Sequence, residues 1–308
     1  MNTTICSSTI TALLILAPIF TGCNSKETET IPRYEHVIVL GFDGFAGAAL
    51  DSADNMPFLK SMMAKSAWTS KKRSVIPTVS ACNWASMFMG VGPEGTGYTK
   101  WDSRESVFTP SETGPGGIFP TVFTLLKQAR PEAETGCGWQ WDGIKYIVDS
   151  AAVNLLKGFN PKAEGIDEMA EFAASYIKEE KPALCLFAWD YPDHTGHSLG
   201  WYSKDYYDML GILDGAIEKI VQAVEEEPDI ADKTLIIISS DHGGHDFTHG
   251  SEIDVDLFSP LVIYGSKVKQ CELSQPVYQY DIAATIAAAL GLSTPSSWRG
   301  RPVTEAFK

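Results

Sequence analysis

Unbroken apolar runs and amphipathic stretches alternate along most of this chain. Four runs are apolar at nearly every position, at residues 37–40, 184–188, 235–238 and 261–264. Strands that are covered by helices on both faces have no polar side, so such runs predict buried strands of a parallel sheet. The sequence therefore predicts an α/β fold with a mostly parallel central sheet flanked by helices on both faces.

The segments between these runs carry apolar residues at helical spacing. The clearest is residues 203–226, where leucine, isoleucine and valine recur every three or four positions on one face. Residues 90–117 are instead rich in Gly, Pro, Ser and Thr and predict a long irregular loop, a feature that is often functional in compact domains. Further helices are predicted near residues 56–67, 121–129, 166–179 and 281–290.

The first residues resemble an export signal. Residues 10–20 form an apolar run that is too short to span a bilayer but suits the core of a signal peptide. The run ends in Phe-Thr-Gly-Cys at residues 20–23, which is similar to the lipobox of bacterial lipoproteins with Cys23 as the acylated residue. Phe20 stands where Leu is usual, and no Lys or Arg precedes the run, so a plain secretory signal with an incidental cysteine is the alternative.

On this basis we expect a lipoprotein-type signal peptide at residues 1–22, a tether at 23–34 and a single domain at 35–308. The expected location is the cell envelope of a bacterium, in the periplasm or at the outer membrane. Contact with the membrane would then occur through the lipid anchor only.

Composition limits the classes of ligand. The chain has 24 Lys and Arg against 39 Asp and Glu, a net charge of −15, which argues against binding to a nucleic-acid duplex. A small phosphorylated substrate remains compatible, because its recognition can be local. The six cysteines are scattered without a Cys-x-x-Cys pair, so neither a disulfide scaffold nor a zinc–thiolate site is expected. Any metal should therefore be held by His and carboxylate.

Asp and His residues collect directly after the predicted strands. In open α/β sheets the carboxyl ends of the strands form the ligand crevice, and oxygen and nitrogen donors at that place suit a divalent metal. A single Asp after a strand is more often a turn or a helix cap, but the joint pattern predicts a metal centre. The candidates are Asp43, Asp193, His197, Asp241, His242 and His249.

This ordered set resembles the alkaline phosphatase superfamily, and most closely its type I phosphodiesterase/nucleotide pyrophosphatase branch. The resemblance extends to the closing segments at residues 280–291 and 299–302. It implies an alkaline phosphatase-like three-layer sandwich, with residues 35–308 as one catalytic domain and two divalent metal ions, commonly zinc. One ion would be held by Asp43, Asp241 and His242, and the other by Asp193, His197 and His249.

The resemblance also places a Thr or Ser nucleophile at a helix start, where residues 77–84 stand in this chain. Matching the Asn of the family segment puts Ser80 at the nucleophile and Asn83 at the residue that steadies a phosphoryl oxygen. Trp84 stands where the branch often has His, so the resemblance does not specify the substrate pocket. From the residues alone, Ser80 also fits a helix cap, and the Thr78 hydroxyl in the same turn is an alternative nucleophile.

The implied activity is hydrolysis of phosphate esters, most closely phosphodiesters and nucleotide pyrophosphates, through a seryl-phosphate intermediate. Two divalent ions balance three aspartates and one alkoxide, so such a site accepts an anionic ester. Neither the sequence nor the resemblance specifies the natural substrate or its leaving group.

Three alternatives remain. A sulfatase would carry Cys/Ser-x-Pro-x-Arg, and no such Pro and Arg follow Ser80 or Cys82. A phosphomonoester or phosphonate hydrolase would place an Arg near the nucleophile, and residues 78–90 contain none. A metal-binding lipoprotein without catalysis is the third. A basic residue could still reach the site from elsewhere, namely Lys71, Lys72, Arg73 or Arg104.

Other side chains are candidates to complete the site. Asp190 and His194 flank a predicted ligand and could orient the ligands. His249 is preferred to His245 as the last ligand, because it stands in a His-Gly pair ahead of a strand entered through Pro. Large aromatic residues could wall the pocket and stack on a base or sugar, although core packing fits them equally well. These are Trp101, Trp139, Trp141, Tyr191 and Trp201.

Overall fold

In the computed structural model the described residues are Met1, 31–52 and 54–308. Apart from Met1, the expected signal peptide at residues 1–22 lies outside this part of the chain, as does Cys23. The strands of the described part are β1 (His36–Phe42), β2 (Ala67–Arg73), β3 (Thr135–Trp139), β4 (Leu155–Gly158), β5 (Leu184–Trp189), β6 (Thr234–Ser239), β7 (Phe258–Tyr264) and β8 (Cys271–Glu272).

Helices connect most of these strands. None of the helices in the described part of the chain combines the length and the apolar character needed to cross a bilayer. Short 3-10 turns lie at Asp142–Tyr146, Ser150–Ala152, Ala231–Lys233 and Thr304–Ala306. The α-helices are α1 (Gly47–Ser52), α2 (Pro57–Met63), α3 (Ser80–Met89), α4 (Pro93–Thr96), α5 (Val122–Ala129), α6 (Glu164–Glu180), α7 (Asp193–Leu199), α8 (Lys204–Glu225), α9 (Asp254–Leu257) and α10 (Asp281–Leu290).

The strands form one sheet in the order β4-β3-β5-β1-β6-β7-β2-β8. The five strands from β4 to β6 run parallel to one another, which confirms the predicted parallel sheet. β7 was predicted from the same kind of apolar run, but it pairs antiparallel with both β6 and β2. Burial on both faces makes a strand apolar whatever its direction, so the pattern could not distinguish the two arrangements.

The two faces of the sheet carry separate hydrophobic cores. Along β1, Val37 and Val39 pack into one core, and Ile38 and Leu40 pack into the other. The first core is covered by α3, α5 and α10, and the second by α2, α6 and α8. This is the three-layer sandwich that the sequence predicted.

Local sequence explains where several helices begin and end. α8 starts after Ser203, whose hydroxyl accepts a hydrogen bond from Tyr206 N at 3.2 Å and so caps the helix. α2 ends at Met63, short of the predicted 56–67, because Ala67 already belongs to β2. The 90–117 segment contains only the short α4 and is otherwise made of turns and irregular chain, as predicted.

Candidate metal centre

The predicted ligands come from the segments that follow the carboxyl ends of three adjacent central strands, β5, β1 and β6. Asp43 follows β1 directly, and its backbone N–H donates to Trp189 O at 3.0 Å, which extends the pairing with β5 by one step. Asp193 opens α7 after β5, and its N–H donates to Asp43 O at 2.9 Å. Parallel strands thus deliver these side chains to one edge of the sheet.

One group consists of Asp43, Asp241 and His242. The His242 Nε2 atom lies 3.5 Å from Asp43 Oδ1 and 3.2 Å from Asp241 Oδ2. All three side chains are almost completely buried. These are the three residues that the resemblance assigned to one metal ion.

The second group consists of Asp193, His197 and His249. His197 lies one helical turn after Asp193 on α7, with Nε2 at 3.4 Å from Asp193 Oδ2. His249 comes from the connection after β6, and its Nε2 lies 3.6 Å from Asp193 Oδ1. The structure brings together the second predicted set as well.

The two groups adjoin each other. The imidazole rings of His242 and His249 stack with centroids 3.8 Å apart and planes at 20°. Asp193 also belongs to a cluster with Asp43 and His242, in which one ligand atom of each residue lies within 4.8 Å of the others. The six residues therefore form one continuous set of donors.

All three histidines are held in the same tautomer. The Nδ1 atoms of His197, His242 and His249 donate to the carbonyl oxygens of Phe247, Gly243 and Thr78 at 2.9, 2.8 and 2.9 Å. Since Nδ1 carries the proton, each Nε2 presents a lone pair towards the neighbouring carboxylates. Such backbone anchoring is typical of histidines that bind metals.

The electrostatics of the set also fit a cation. Asp43 Oδ1, Asp193 Oδ1 and Asp241 Oδ2 are buried without a hydrogen-bond partner among the described residues. Burial and the neighbouring carboxylates raise the pKa of Asp43 and of Asp193 well above the usual range, and burial raises that of Asp241 to about 6.

Burial has the opposite effect on the histidines. It lowers the pKa of His242 and of His249 to about 3, and at His249 repulsion from the neighbouring His242 lowers the pKa further. Neutral histidines and orphaned carboxylate oxygens are the donors that a divalent metal requires, and a cation would relieve the repulsion between the carboxylates.

Gly44 allows Asp43 and Asp193 to approach each other. Its φ is +68°, and a Cβ atom there would lie 2.7 Å from Asp193 Cβ. The Gly44 N–H donates to Asp241 Oδ1 at 3.1 Å, and its carbonyl accepts from Trp201 Nε1 at 3.0 Å and Tyr206 OH at 2.8 Å. A residue without a side chain is therefore required at this position.

Ser80 faces this set of donors. It is the first residue of α3, and its Oγ lies 3.4 Å from His242 Nε2. The alternative, Thr78, is fully buried, and its hydroxyl donates to Ser251 O at 2.9 Å. The geometry thus favours Ser80 over Thr78.

Asn83 is not brought to the site. Its Oδ1 accepts from Val75 N at 2.7 Å, and its Nδ2 donates to Pro77 O and Val79 O at 3.1 Å each. These hydrogen bonds hold the side chain against the loop that precedes α3. In this arrangement Asn83 shapes the loop that carries Ser80, and the predicted contact with a phosphoryl oxygen is not part of it.

Ser80 opens onto a cavity of about 510 Å³. The described residues that line it include no Lys or Arg. Two of the five predicted aromatic residues are among them, whereas Trp139, Tyr191 and Trp201 are buried in packing. The lining residues are Val79, Ser80, Trp101, Trp141, Asp190, Asp193, His197 and His249.

The basic residues that could have reached the site lie elsewhere. Lys72 is fully buried beneath it, where Nζ donates to Ser240 O at 2.5 Å and to the Gln279 side chain. Arg104 lies over the ring of Tyr146 at 5.4 Å. Lys71 and Arg73 are exposed and do not line the cavity.

Of the two remaining candidate histidines, His245 supports the site and His194 does not contribute to it. His245 Nδ1 lies 2.7 Å from Asp256 Oδ1, and Asp256 Oδ2 accepts from Ser251 N at 2.8 Å. This pair braces the segment that carries His249, so His245 supports the site from outside the ligand set. His194 is exposed and packs against the ring of Tyr191.

Sequence reasoning missed two contributions. Trp84 Nε1 donates to Asp43 Oδ2 at 3.0 Å, so this indole orients a ligand and does not line the cavity. Gln279 links the Lys72 ammonium to the α3 backbone through Asn83 O at 3.2 Å. The Trp in the nucleophile segment was the available signal for the first contribution, and nothing in the sequence distinguished Lys72 from its exposed neighbours Lys71 and Arg73.

Known structures share this fold. Murine ectonucleotide pyrophosphatase/phosphodiesterase 5, solved in complex with AMP, superposes with a TM-score of 0.70 over 89% of this chain and 100% of that chain, at 12% identity. A mutant of the alkaline phosphatase PafA superposes with a TM-score of 0.74 over 90% and 100% of the two chains, at 14% identity. These likenesses confirm the alkaline phosphatase-like fold.

The curated relatives are named as transferases, unlike the solved structures above. GPI ethanolamine phosphate transferase 1 of Aspergillus fumigatus is 34% identical over 224 residues, which cover 69% of this chain and 21% of that protein. The chain spans about a third or less of the length of the curated relatives it matches.

These relatives contradict the expected location. Proteins of Emericella nidulans, Gibberella zeae, Candida glabrata and Yarrowia lipolytica bear the same name, and all are fungal. The prediction of a bacterial cell-envelope lipoprotein is therefore wrong on this evidence. Its basis was the apolar run at residues 10–20 and the lipobox-like residues 20–23, without a basic residue before the run, and so short a pattern carries little information about the compartment.

One family model covers most of the chain. The model for type I phosphodiesterase/nucleotide pyrophosphatase matches residues 37–261, which include all six predicted ligands and Ser80. With the fold and the donor set described above, the match shows that the chain belongs to the type I phosphodiesterase/nucleotide pyrophosphatase family.

Proposed function

We propose that this protein cleaves phosphodiesters with Ser80 as the nucleophile, within one catalytic domain at residues 35–308. The observation that carries the proposal is the position of Ser80 Oγ, which borders a buried donor set with three orphaned carboxylate oxygens. The proposed ligand sets are Asp43, Asp241 and His242 for one ion and Asp193, His197 and His249 for the other. Zinc is the ion we expect for both.

Two bound divalent ions would supply Lewis-acid activation and neutralise charge at the reacting phosphate. The chain itself supplies the nucleophile and its placement. The N-terminus of α3 favours an anion next to Ser80, because the helix presents N–H groups and a partial positive charge there. Attack of Ser80 Oγ on phosphorus forms an O–P bond and breaks the bond to one ester oxygen, which leaves as an alcohol and takes up, overall, the proton lost from the Ser80 hydroxyl. Water then cleaves the seryl ester.

The lining of the cavity favours a diester over a monoester. A diester brings one negative charge, whereas a monoester dianion brings a second one that needs a guanidinium or ammonium partner. The described residues that line the cavity include none. The exposed indole of Trp101 and that of Trp141 offer flat apolar surfaces to the alcohol groups of the substrate.

A second candidate is transfer of the phosphoryl group to an alcohol instead of water. It is favoured by the curated relatives, which are named GPI ethanolamine phosphate transferases. Both reactions share the seryl intermediate and differ only in the acceptor that reaches it.

The test uses the full chain loaded with zinc. Bis-p-nitrophenyl phosphate should be cleaved faster than p-nitrophenyl phosphate or p-nitrophenyl sulfate, and EDTA should abolish turnover until zinc is restored. Ser80→Ala should lower kcat by about a hundredfold or more, as loss of a nucleophile does. Thr78→Val, the matched control in the same turn, should retain most of the activity.

A monoester or sulfate cleaved in preference, or activity that survives in Ser80→Ala, would overturn the proposal. Glycerol added as an acceptor separates the two candidates. A hydrolase releases mainly p-nitrophenyl phosphate, whereas a transferase releases mainly the glycerol diester, and phosphorus NMR distinguishes these products.

A further inference from the structure

A second cavity lies at the far end of α3 from Ser80. Its volume is about 550 Å³, and it is bordered by the segment before α10 and by the closing segment of the chain. α3 has 10 residues, so its two ends are roughly 15 Å apart at 1.5 Å per residue. Among the described residues, none lines both this cavity and the Ser80 cavity.

Two arginines border this cavity from a fixed backbone. The N–H groups of Arg299 and Gly300 donate to Gly90 O at 2.7 and 2.9 Å, and Arg301 N donates to Asp281 Oδ1 at 2.8 Å. Both arginine residues are exposed, and within the described part of the chain neither guanidinium has an ion pair within 4.0 Å. The backbone is therefore ordered while both charges remain available.

The nearby carboxylates accept hydrogen bonds from the backbone and form no ion pair within 4.0 Å with either guanidinium among the described residues, although the charge of Arg301 acts on Asp281. Asp281 accepts from the backbone of Arg301 and, at 2.8 Å, from Tyr278 N. Glu305 accepts from the backbone N–H groups of Ser274 and Gln275 at 3.0 Å each. Backbone donors thus hold both carboxylates in place, and the cavity presents two guanidinium groups that have no ion pair within 4.0 Å among the described residues, on a chain whose net charge is −15.

An aromatic surface lies beside the arginines. The rings of Tyr278 and Tyr280 stack with centroids 5.6 Å apart and planes at 13°. Tyr278 is 37% exposed, so part of its ring remains accessible from the cavity. Aromatic faces of this kind stack with the flat rings of ligands, and the guanidinium fork matches the oxygens of a phosphate.

We propose that this cavity binds a small organic phosphate that carries a flat ring, the chemistry of a nucleoside monophosphate. The phosphate would contact Arg299 and Arg301, and the ring would stack on Tyr278. The proposal concerns binding only and does not depend on the reaction proposed for Ser80.

The test is isothermal titration of the full chain with AMP, adenosine and inorganic phosphate. AMP should bind more tightly than either fragment. The double variant Arg299→Ala/Arg301→Ala should weaken AMP binding at this site by tenfold or more. Arg104→Ala is the matched control, since it also removes one guanidinium group, and Arg104 lies over the ring of Tyr146 and does not line this cavity.

Tyr278→Ala should keep phosphate binding and lose the preference for AMP. AMP that binds in the Ser80 cavity would be unaffected by all these changes and would appear as a separate, persistent site. An AMP isotherm unchanged in the double variant, or equally weakened in Arg104→Ala, would refute the proposal. Arg299→Gln and Arg301→Gln, tested singly, give the same readout if the double variant is unstable.

Discussion

The contact between Gly44 and Asp193 makes a sharp test of how the donor set is assembled. Gly44→Ala imposes two separate penalties. The first is the left-handed backbone, since φ at Gly44 is +68°. For a residue with a Cβ this conformation costs roughly 1–2 kcal/mol, partly offset by about 0.4–1 kcal/mol from the less flexible unfolded chain.

The second penalty is steric and specific to the site. The new Cβ would lie 2.7 Å from Asp193 Cβ and 2.8 Å from Asp193 Cα, well inside the ordinary separation of about 3.5–4.0 Å between carbon atoms. Overpacking of this kind typically costs about 1–3 kcal/mol. We therefore expect Gly44→Ala to lower the free energy of unfolding by about 2–4 kcal/mol.

The chain offers a control for the backbone penalty alone. Gly117 has φ of +83°, and a Cβ atom there would have nothing within 4 Å. Gly117→Ala should therefore cost only about 1 kcal/mol in urea denaturation. The difference between the two variants measures the clash with Asp193.

The clash should also reach the metal ligands. If Asp193 shifts to make room, its contacts with His197 and His249 lengthen, and zinc affinity should fall by about 10–100-fold. Competition with a chelating dye measures this affinity. Equal destabilisation of the two glycine variants, together with unchanged zinc affinity in Gly44→Ala, would refute the reasoning.

Three further predictions concern single side chains. His249→Ala should lose about one zinc per chain by elemental analysis, while His245→Ala should keep both, and the reverse would exchange their assignments. Trp84→Phe removes the donor to Asp43 Oδ2 and should weaken zinc binding by about 10–100-fold, with unaltered affinity counting against this role. Burial lowers the pKa of Lys72 to about 7 in the folded protein. Between about pH 7 and 10.5 the unfolded chain therefore binds more protons than the folded chain. The free energy of unfolding of the metal-free protein should rise with pH across that window. That rise is on the order of 5 kcal/mol across the window and should be missing in Lys72→Met.

The sequence predicted those features that a single local pattern determines. Unbroken apolar runs located β1, β5 and β6, and the polar residues directly after them became the donor set. This inference works because a parallel sheet delivers the carboxyl ends of its strands to one edge. The same rule brought residues as distant as Asp43 and His249 together.

Features that depend on tertiary context could not be predicted. β3 contains two glycines and was missed, because its glycines are explained only by the rings of Tyr176 and Phe187 packed against them. Asn83 matched a family position by spacing, but its side-chain direction depends on the loop at residues 75–79. Spacing fixes which residue stands at a helix start and does not fix which way a side chain turns.

The antiparallel pairing of β7 with β6 has a consequence for how this site can change. The connection at residues 240–257 starts at the carboxyl end of β6, and because β7 is antiparallel it also ends there, beside the donors. A crossover to a parallel strand would instead have carried the chain to the amino end of β6. It contributes Asp241, His242 and His249, and its Phe247 carbonyl fixes His197. A change in the length of this connection would disturb both ligand groups at once. Half of the donor set therefore depends on a single connection, so we expect insertions or deletions within it to be tolerated less well than at connections that carry no ligand.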